Sequence, residues 1–368
     1  MTALKTDVAI VGGGLHGCST ALHLALAGIR AIVIERHQVG CHASGNNAGG
    51  VRTLMRQEAE IPLALASLEL WHHLEDLVGD RCGFHACGQI EVAESEAGAE
   101  VLRARLERMR LLGFTHERWI DPPELFERVP HLARHCLGGL MAERDGAASP
   151  YRTTLAFRRR AETLGQHFLE GTSVVKVRRE GPAWRVETSQ GPVSAGAVIN
   201  CAGAWADRIA AQAGEPVPLQ AAALMMLATL RMPPFLTPVV MTPRLSFKQT
   251  PDGTLLIGGG HRVHLDLEKE ATALDFSKVW ESARTVLGVF PIMRDAVVNR
   301  GWAGIEGFMP DGLPVIGPSL RAPHLFHQFG FSAHGFELGP MAGKVVADLV
   351  AKGSSECPIA AFSVGRFS

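Results

Sequence analysis

Two rhythms of apolar residues run along this chain. Val8–Val11 is a short unbroken apolar run, followed by a glycine cluster and then by helically spaced apolar residues from Leu15 to Ala27. A second run, Ala31–Glu35 (AIVIE), ends on a carboxylate. Short apolar runs bounded by turn residues predict buried strands, and apolar residues three and four apart predict helices facing a core. The same reading places an amphipathic helix over Glu58–Leu77, a strand over Gly88–Ser95 and a charged-faced helix over Ala97–Leu112. Asp121 starts a further helix with Pro122 in its first turn, and Arg152–Leu164 is helical again. Phe168–Trp205 holds three strand patterns separated by Gly-Pro turns, the last of them, Ala197–Cys201, wholly apolar. Residues 216–299 read as β-rich at first (Thr254–Gly260 is one strand) and then as helix over Asp275–Leu287. Gly301–Pro318 reads as turns, and His324–Gly353 as a strand, a glycine loop and a final helix.

The first of these transitions carries chemistry. Gly12, Gly14 and Gly17 fill G-x-G-x-x-G between a strand and a helix. Such glycines permit a tight turn, close backbone approach to a pyrophosphate, and close packing of helix on strand. The helix start offers free N–H groups and a positive dipole end to phosphates. Glu35 stands where a ribose hydroxyl is bound, roughly twenty residues past the glycines. Gly40–Arg52 (GCHASGNNAGGVR) is too polar for a core element and long enough to be a functional loop.

Composition narrows the classes. The 368 residues are 46% hydrophobic, enough for one large core or two smaller ones, with a net charge of -1 and no basic tract. Nucleic acid is therefore not an expected partner. The longest uncharged apolar run, Ala221–Leu230, is short of the ~20 residues that span a bilayer and is expected to be a buried strand. The first strand begins almost at once, without the segments of a signal peptide. Seven scattered cysteines without C-x-x-C predict reduced thiols in the cytoplasm and no iron–sulfur cluster. The histidine pairs His131/His135 and His261/His264 lack companion ligands at metal-site spacing, so no metal is expected. The order of elements suggests a dinucleotide domain built from both ends and part of the middle, interleaved with a β-rich cap.

Four separated motifs point one way: VGGGLHG with Glu35, SGNNAGG (Ser44–Gly50), AVINCAGAWA (Ala197–Ala206), and the pair PDGLPVIG (Pro310–Gly317) and GFSAHGFELGP (Gly330–Pro340). Together they resemble the D-amino-acid oxidase superfamily, in its glycine oxidase and sarcosine oxidase branch, which includes iminodiacetate oxidase and the flavin subunits of hydroxyproline dehydrogenase. The likeness covers nearly the whole chain and is weakest at about residues 86–144 and 216–300. It implies an α/β fold. A Rossmann-like, glutathione-reductase-like FAD-binding domain (1–86, 145–215 and 300–368) would be interleaved with a β-sheet-rich substrate cap (87–144 and 216–299).

Carried over by residue, the resemblance implies that Gly12, Gly14, Leu15, His16 and Gly17 hold the FAD pyrophosphate. Glu35 would bind the adenosine ribose with Arg36 beside it. Ser44, Asn46, Asn47, Gly49, Gly50 and Val51 would run along the phosphates and the flavin. Val174 or Val175 would meet the adenine. Cys201, Ala202 and Gly203, with Trp205, would pass the pyrophosphate. His334, Gly335, Phe336, Glu337 and Leu338 would wrap the pyrimidine end of the flavin, where helix-start N–H groups stabilise negative charge. No cysteine lies near Gly304, where monomeric sarcosine oxidase attaches its flavin, so the FAD is expected to be non-covalent.

The implied reaction is oxidation of the C–N bond of a secondary amine or amino acid to an imine that hydrolyses. Oxygen would serve as acceptor, or partner subunits in a multi-subunit dehydrogenase. A flavin-binding assembly module is a third reading, and NAD as sole cofactor a fourth, which the two later loops argue against. A carboxylated substrate needs a cation, and arginine binds both carboxylate oxygens. Here Glu306 stands where glycine oxidase-like chains place an arginine, and Glu337 where monomeric sarcosine oxidase has a lysine. The replacement cations are Arg52, first choice, then Lys248, His261 and Arg262.

Overall fold

The protein was analysed as a computed structural model, which describes residues 3–367. The apolar runs become the centre of a largely parallel sheet. Its order is Val315–Pro318, Leu325–Phe329, Val193–Asn200, Leu4–Val11, Ala31–Ile34 and His167–Leu169. The four contacts from Leu325–Phe329 through to His167–Leu169 are parallel, and Val315–Pro318 adds an antiparallel edge. A ribbon of Ala183–Thr188 and Val174–Glu180 branches antiparallel from Val193–Asn200. Ile10, Val33 and Ile199 are fully buried, as continuous apolar strands covered on both faces must be.

Helices Leu15–Leu26 and Gly335–Lys352 pack together on one face of this sheet, which brings the two ends of the chain into contact. Their approach is close enough that a methyl group on Gly343 would lie 2.2 Å from Ser19 Oγ. Ser19 Oγ itself donates to the Pro340 carbonyl at 3.0 Å, occupying the polar group trapped at that crossing.

A second sheet runs Val298–Phe308, Gln220–Arg231, Thr254–Val263, Ser246–Gln249, Val239–Met241, Gln89–Val92, Gly139–Ala142 and Arg118–Ile120. It is antiparallel except where Val239–Met241 meets Gln89–Val92. It has its own apolar core around Phe247, Phe290, Ile90 and Leu125. The expected buried strand at Ala221–Leu230 is there, extended to Gln220–Arg231.

Three local expectations differ from the structure. Gly301–Pro318 is expected to be turns, yet Val315–Pro318 is the edge strand of the first sheet, and residues up to Phe308 belong to the 11-residue strand Val298–Phe308 in the second. Its glycines serve close approach rather than turning. A methyl on Gly304 would lie 3.2 Å from Asn46 Cβ, and one on Gly307 3.2 Å from the Gly203 carbonyl. The single helix expected over Glu58–Leu77 is a short 3-10 turn (Glu58–Glu60) and two helices, Ile61–His72 and Leu74–Val78, broken at His73. Asp121 precedes the helix Pro122–Arg128, but its carboxylate accepts from Trp119 Nε1 at 2.9 Å instead of capping.

Candidate active site

The glycine turn is shaped by close approach. Gly12 has φ +108°, and a methyl there would stand 2.3 Å from the Cys201 carbonyl, so only glycine lets the first strand and Val193–Asn200 end side by side. Glu35 follows the second strand, and two backbone groups orient its buried carboxylate. Gly13 N–H donates to Oε2 at 2.7 Å and His37 N–H to Oε1 at 2.9 Å. A carboxylate accepts about four hydrogen bonds, so lone pairs remain for two ribose hydroxyls.

From Glu35 one cavity of about 830 Å³ runs between the two sheets to Glu337. Of the cofactor residues read from the sequence, Gly12, Gly14, Leu15, His16, Glu35, Arg36, Ser44, Asn46, Asn47, Gly49 and Gly50 line it. Val174, Val175, Cys201, Ala202, Gly203, Trp205, His334, Gly335, Phe336 and Glu337 line it too. Gly17, Val51 and Leu338 do not; all three are buried behind it, and Gly17 serves close packing, since a methyl there would lie 2.0 Å from the Gly12 carbonyl.

These walls fit a dinucleotide. Two helix starts, Leu15 and Gly335, border the cavity, and in neither does the N-cap side chain accept from the N–H groups of the first turn. Leu15 N–H is met by Ser44 Oγ at 2.9 Å, from the polar loop. Buried Trp205 Nε1 lines the cavity without a hydrogen-bond partner, a donor in want of an acceptor. The loop before the second helix holds Ser332 and Ala333 at φ 51° and 68°, the left-handed backbone that local strain at functional sites adopts. Cys201 is the cysteine on the wall; burial pushes its thiol pKa up and keeps it protonated.

The far end of the cavity holds the charges. Arg52 leaves the polar loop and donates from Nη1 to the Leu54 carbonyl at 3.1 Å. Burial, with Arg56 nearby, lowers its pKa to about 10. Lys248 reaches across from the second sheet, donating from Nζ to the Ala148 carbonyl at 3.1 Å. Burial lowers its pKa to about 8. A methyl on Gly49 would come within 2.8 Å of that Nζ, so the ammonium rests directly on the glycine loop. Among the described residues, neither cation forms an ion pair. Glu91 and Glu306 line the same cavity, and burial raises each carboxyl to about 7, with Arg52 opposing at Glu91 and the Ala333 N–H at Glu306.

Glu337 has a cation that sequence reasoning missed. Arg56 Nη2 lies 3.2 Å from Glu337 Oε2, both side chains buried, and Arg56 Nε donates to the Arg52 carbonyl at 2.8 Å. Burial raises Glu337 against that pull. Beside this pair, Glu60 Oε2 and His334 Nδ1 lie 3.0 Å apart. The only sequence signal for Arg56 was its place four residues past Arg52. Gln89 was missed as well; its Nε2 donates to the carbonyls of Val51 and Gly146 at 2.9 and 2.7 Å, fixing the strand beneath the loop.

His261 and Arg262, the other two cations, do not line the cavity. His261 Nδ1 lies 3.7 Å from a Glu281 carboxylate, and the Arg262 guanidinium stacks 4.5 Å over the Phe308 ring. Both sit where the strand Thr254–Val263 runs past the cavity edge, beyond the lining residues Gly258, Gly259 and Gly260.

Comparison with known proteins agrees with this geometry. The family model of FAD dependent oxidoreductases matches residues 7–349. Sarcosine oxidase subunit beta of Rhodobacter capsulatus is 28% identical over 374 residues, covering 99% of this chain and 89% of that one. Glycine oxidase of Geobacillus kaustophilus is 28% identical over 373 residues, covering 98% and 97%. Among solved structures, L-proline dehydrogenase from P. horikoshii superimposes with a TM-score of 0.93 at 26% identity, covering 100% of this chain and 98% of that one. The glycine oxidase structure from Geobacillus kaustophilus gives 0.91 at 26%, covering 98% and 99%.

Proposed function

The chain belongs to the FAD-dependent oxidoreductase family, and we propose that it oxidises the C–N bond of a carboxylated secondary amine or amino acid, with oxygen as acceptor. The observation that carries this reading is the pair Arg52 and Lys248. Both are desolvated cations on the cavity wall without an acidic partner, as a site awaiting a substrate carboxylate requires. The names of the relatives, sarcosine oxidase subunit beta and glycine oxidase, support the same substrate class.

FAD, when bound, supplies the two-electron acceptor. The residues of this chain position and polarise. Glu35 and the turn Gly12–Gly14 hold the adenosine and pyrophosphate. The Gly335 helix start presents N–H groups toward the pyrimidine end. Arg52 would bind the carboxylate, with Lys248 nearby, and the apolar side chains of Leu224, Met226 and Met241, which line the same cavity, would exclude water from it. The absence of a thiolate on the wall supports non-covalent FAD. Among the described residues no helix is long and apolar enough to cross a membrane, and all seven cysteines are free, which supports a reducing compartment such as the cytoplasm.

Anaerobic reduction of the yellow protein by sarcosine, iminodiacetate, proline derivatives and D-amino acids tests the reaction. Bleaching by at least one is expected, and a flavin that stays oxidised with all of them refutes it. Arg52→Ala is expected to raise KM about 10²-fold or more, the loss of a charge-assisted contact of about 3 kcal/mol, with FAD retained. Unchanged kinetics removes Arg52 from the site. The word subunit in one relative's name favours a second acceptor, a partner chain. Slow re-oxidation of the isolated flavoprotein in air would select it.

A further inference from the structure

Three side chains from two segments converge just outside the Glu35 end of the cavity. His37 and His42 follow the second strand, and Glu270 lies in the hairpin formed by Leu265–Asp266 and Ala271–Thr272. His37 Nε2 is 2.9 Å from Glu270 Oε2, and His42 Nε2 is 3.2 Å from the same oxygen. One ligand atom from each residue lies within 4.8 Å of the others. Zinc bonded at about 2.0–2.2 Å to nitrogen and oxygen in a tetrahedron holds neighbouring donors about 3.3–3.5 Å apart. The two measured edges fall just short of that length.

Two further observations favour a shared atom over plain hydrogen bonding. His42 Nε2 is buried and lacks a hydrogen-bond partner even with that oxygen 3.2 Å away, so their orientation is wrong for donation. Glu270 takes φ +53°, which residues other than glycine rarely adopt, and its carboxylate reaches the imidazoles from that backbone. Arg36 Nη1 holds the other oxygen, Oε1, at 2.8 Å. It therefore orients the carboxylate from outside, as partners of metal-bound carboxylates do, and leaves Oε2 to the imidazoles.

We propose that His37, His42 and Glu270 form a three-ligand site for a divalent cation of the zinc class. Two imidazoles and one carboxylate suit zinc, cobalt or nickel rather than magnesium or calcium. The fourth position faces solvent, since His37 is exposed. Both imidazoles bind the ion as neutral rings. The site ties the hairpin to the segment after Glu35. His42 packs 4.9 Å from the Trp205 ring, and Arg36 lies 4.0 Å over it, so a bound ion stiffens the wall beside the adenosine.

The test uses zinc chloride and the FAD-loaded full chain. After equilibration and gel filtration, elemental analysis is expected to find one zinc per chain. His37→Ala and the isosteric Glu270→Gln should each weaken zinc binding by more than about tenfold, the loss that even an outer-shell partner causes. His131→Ala, at a histidine pair elsewhere, should leave it unchanged. Zinc should also raise the temperature at which FAD is released from the parent protein, but not from Glu270→Gln. No retained zinc, or equal zinc in the parent and in Glu270→Gln, overturns the proposal. Circular dichroism and flavin content of each variant separate loss of the site from loss of the fold.

Discussion

Replacing Lys248 by methionine separates stability from binding. In the folded chain burial holds the Lys248 pKa at about 8, against 10.5 ordinarily. At about 1.4 kcal/mol per pH unit that gap is worth about 3 kcal/mol. Its sign follows from proton counting. Between pH 8 and 10.5 the unfolded chain keeps the proton that the folded chain has lost, so stability rises with pH across that window. Below 8 both states are protonated and the full penalty stands; above 10.5 it is gone. Methionine has similar length and no charge, so the Lys248→Met chain lacks this penalty at every pH. It also loses the bond to the Ala148 carbonyl, about 1–2 kcal/mol. The expected outcome is a variant about 1–2 kcal/mol more stable than the parent at pH 7 and less stable than it near pH 10.5. Denaturant unfolding of the two flavoproteins at both pH values measures the difference, in which all other titrating groups cancel. At pH 7 the same variant should show a raised KM for a carboxylated substrate, because the ammonium contributed binding. A stability difference that does not move with pH refutes the desolvated lysine. A pH-dependent difference with unchanged KM keeps the lysine but removes it from substrate binding.

Arg56→Met is expected to cost about 3–5 kcal/mol, because it leaves Glu337 and its neighbours buried without their cation. The double variant Arg56→Met/Glu337→Met should recover much of that loss in the same unfolding assay, and failure to recover would mean that Arg56 acts mainly through its bond to the Arg52 carbonyl. Gly12→Ala puts a methyl 2.3 Å from the Cys201 carbonyl at φ +108°, so the purified variant should contain little FAD, read as the ratio of flavin to protein absorbance. Acid precipitation of the parent protein should release its yellow colour to the supernatant; colour left in the pellet would show a covalent link.

The central strands of the first sheet were legible because each apolar run answers to a local rule; its edge strand Val315–Pro318, read as turns, was not. Val8–Val11 is continuous and runs into a glycine turn and a helix, and Ala31–Ile34 is continuous and closed by Glu35. The strand Val298–Phe308 was not legible for the opposite reason. Gly301, Gly304 and Gly307 read locally as turn residues, and only distant segments explain the last two: a methyl on Gly304 would lie 3.2 Å from Asn46 Cβ and one on Gly307 3.2 Å from the Gly203 carbonyl. Site residues divide in the same way. Glu35 acts through partners 22 and 2 residues away, with Gly13 and His37 holding the carboxylate. Gly12 was legible from its motif alone, although the carbonyl that requires a glycine there belongs to distant Cys201. Arg56 acts through Glu337, 281 residues away, and the Glu270 cluster joins residues 233 apart. No periodicity encodes such pairs. Arg262 illustrates the converse: its spacing was compatible with the cavity, but the end of its strand carries it to Phe308 instead.

Glu337 and Glu306, the two acids at positions where the resemblance implies cations, have different surroundings. Glu337 lies in the first turn of the last helix, where a negative charge is favoured by the helix dipole, and Arg56 faces it from the segment after the flavin loop. The cation has not been lost from that end of the cavity; it now belongs to a different element and is spent on an internal partner. That leaves the unpaired positive charge on Arg52 and Lys248, one on each side of the glycine loop. Glu306 is different, because no cation faces it and burial alone raises its carboxyl to about 7. Below that pH the group is neutral and adds nothing to repel a carboxylate; above it, Glu306 and Glu91 ionise together while Lys248 approaches its own loss of charge near 8. All three changes make the cavity more negative in the same direction. KM for a carboxylated substrate is therefore expected to rise as pH increases from about 7 to about 8, and a KM that stays flat across that range would refute this balance of charges.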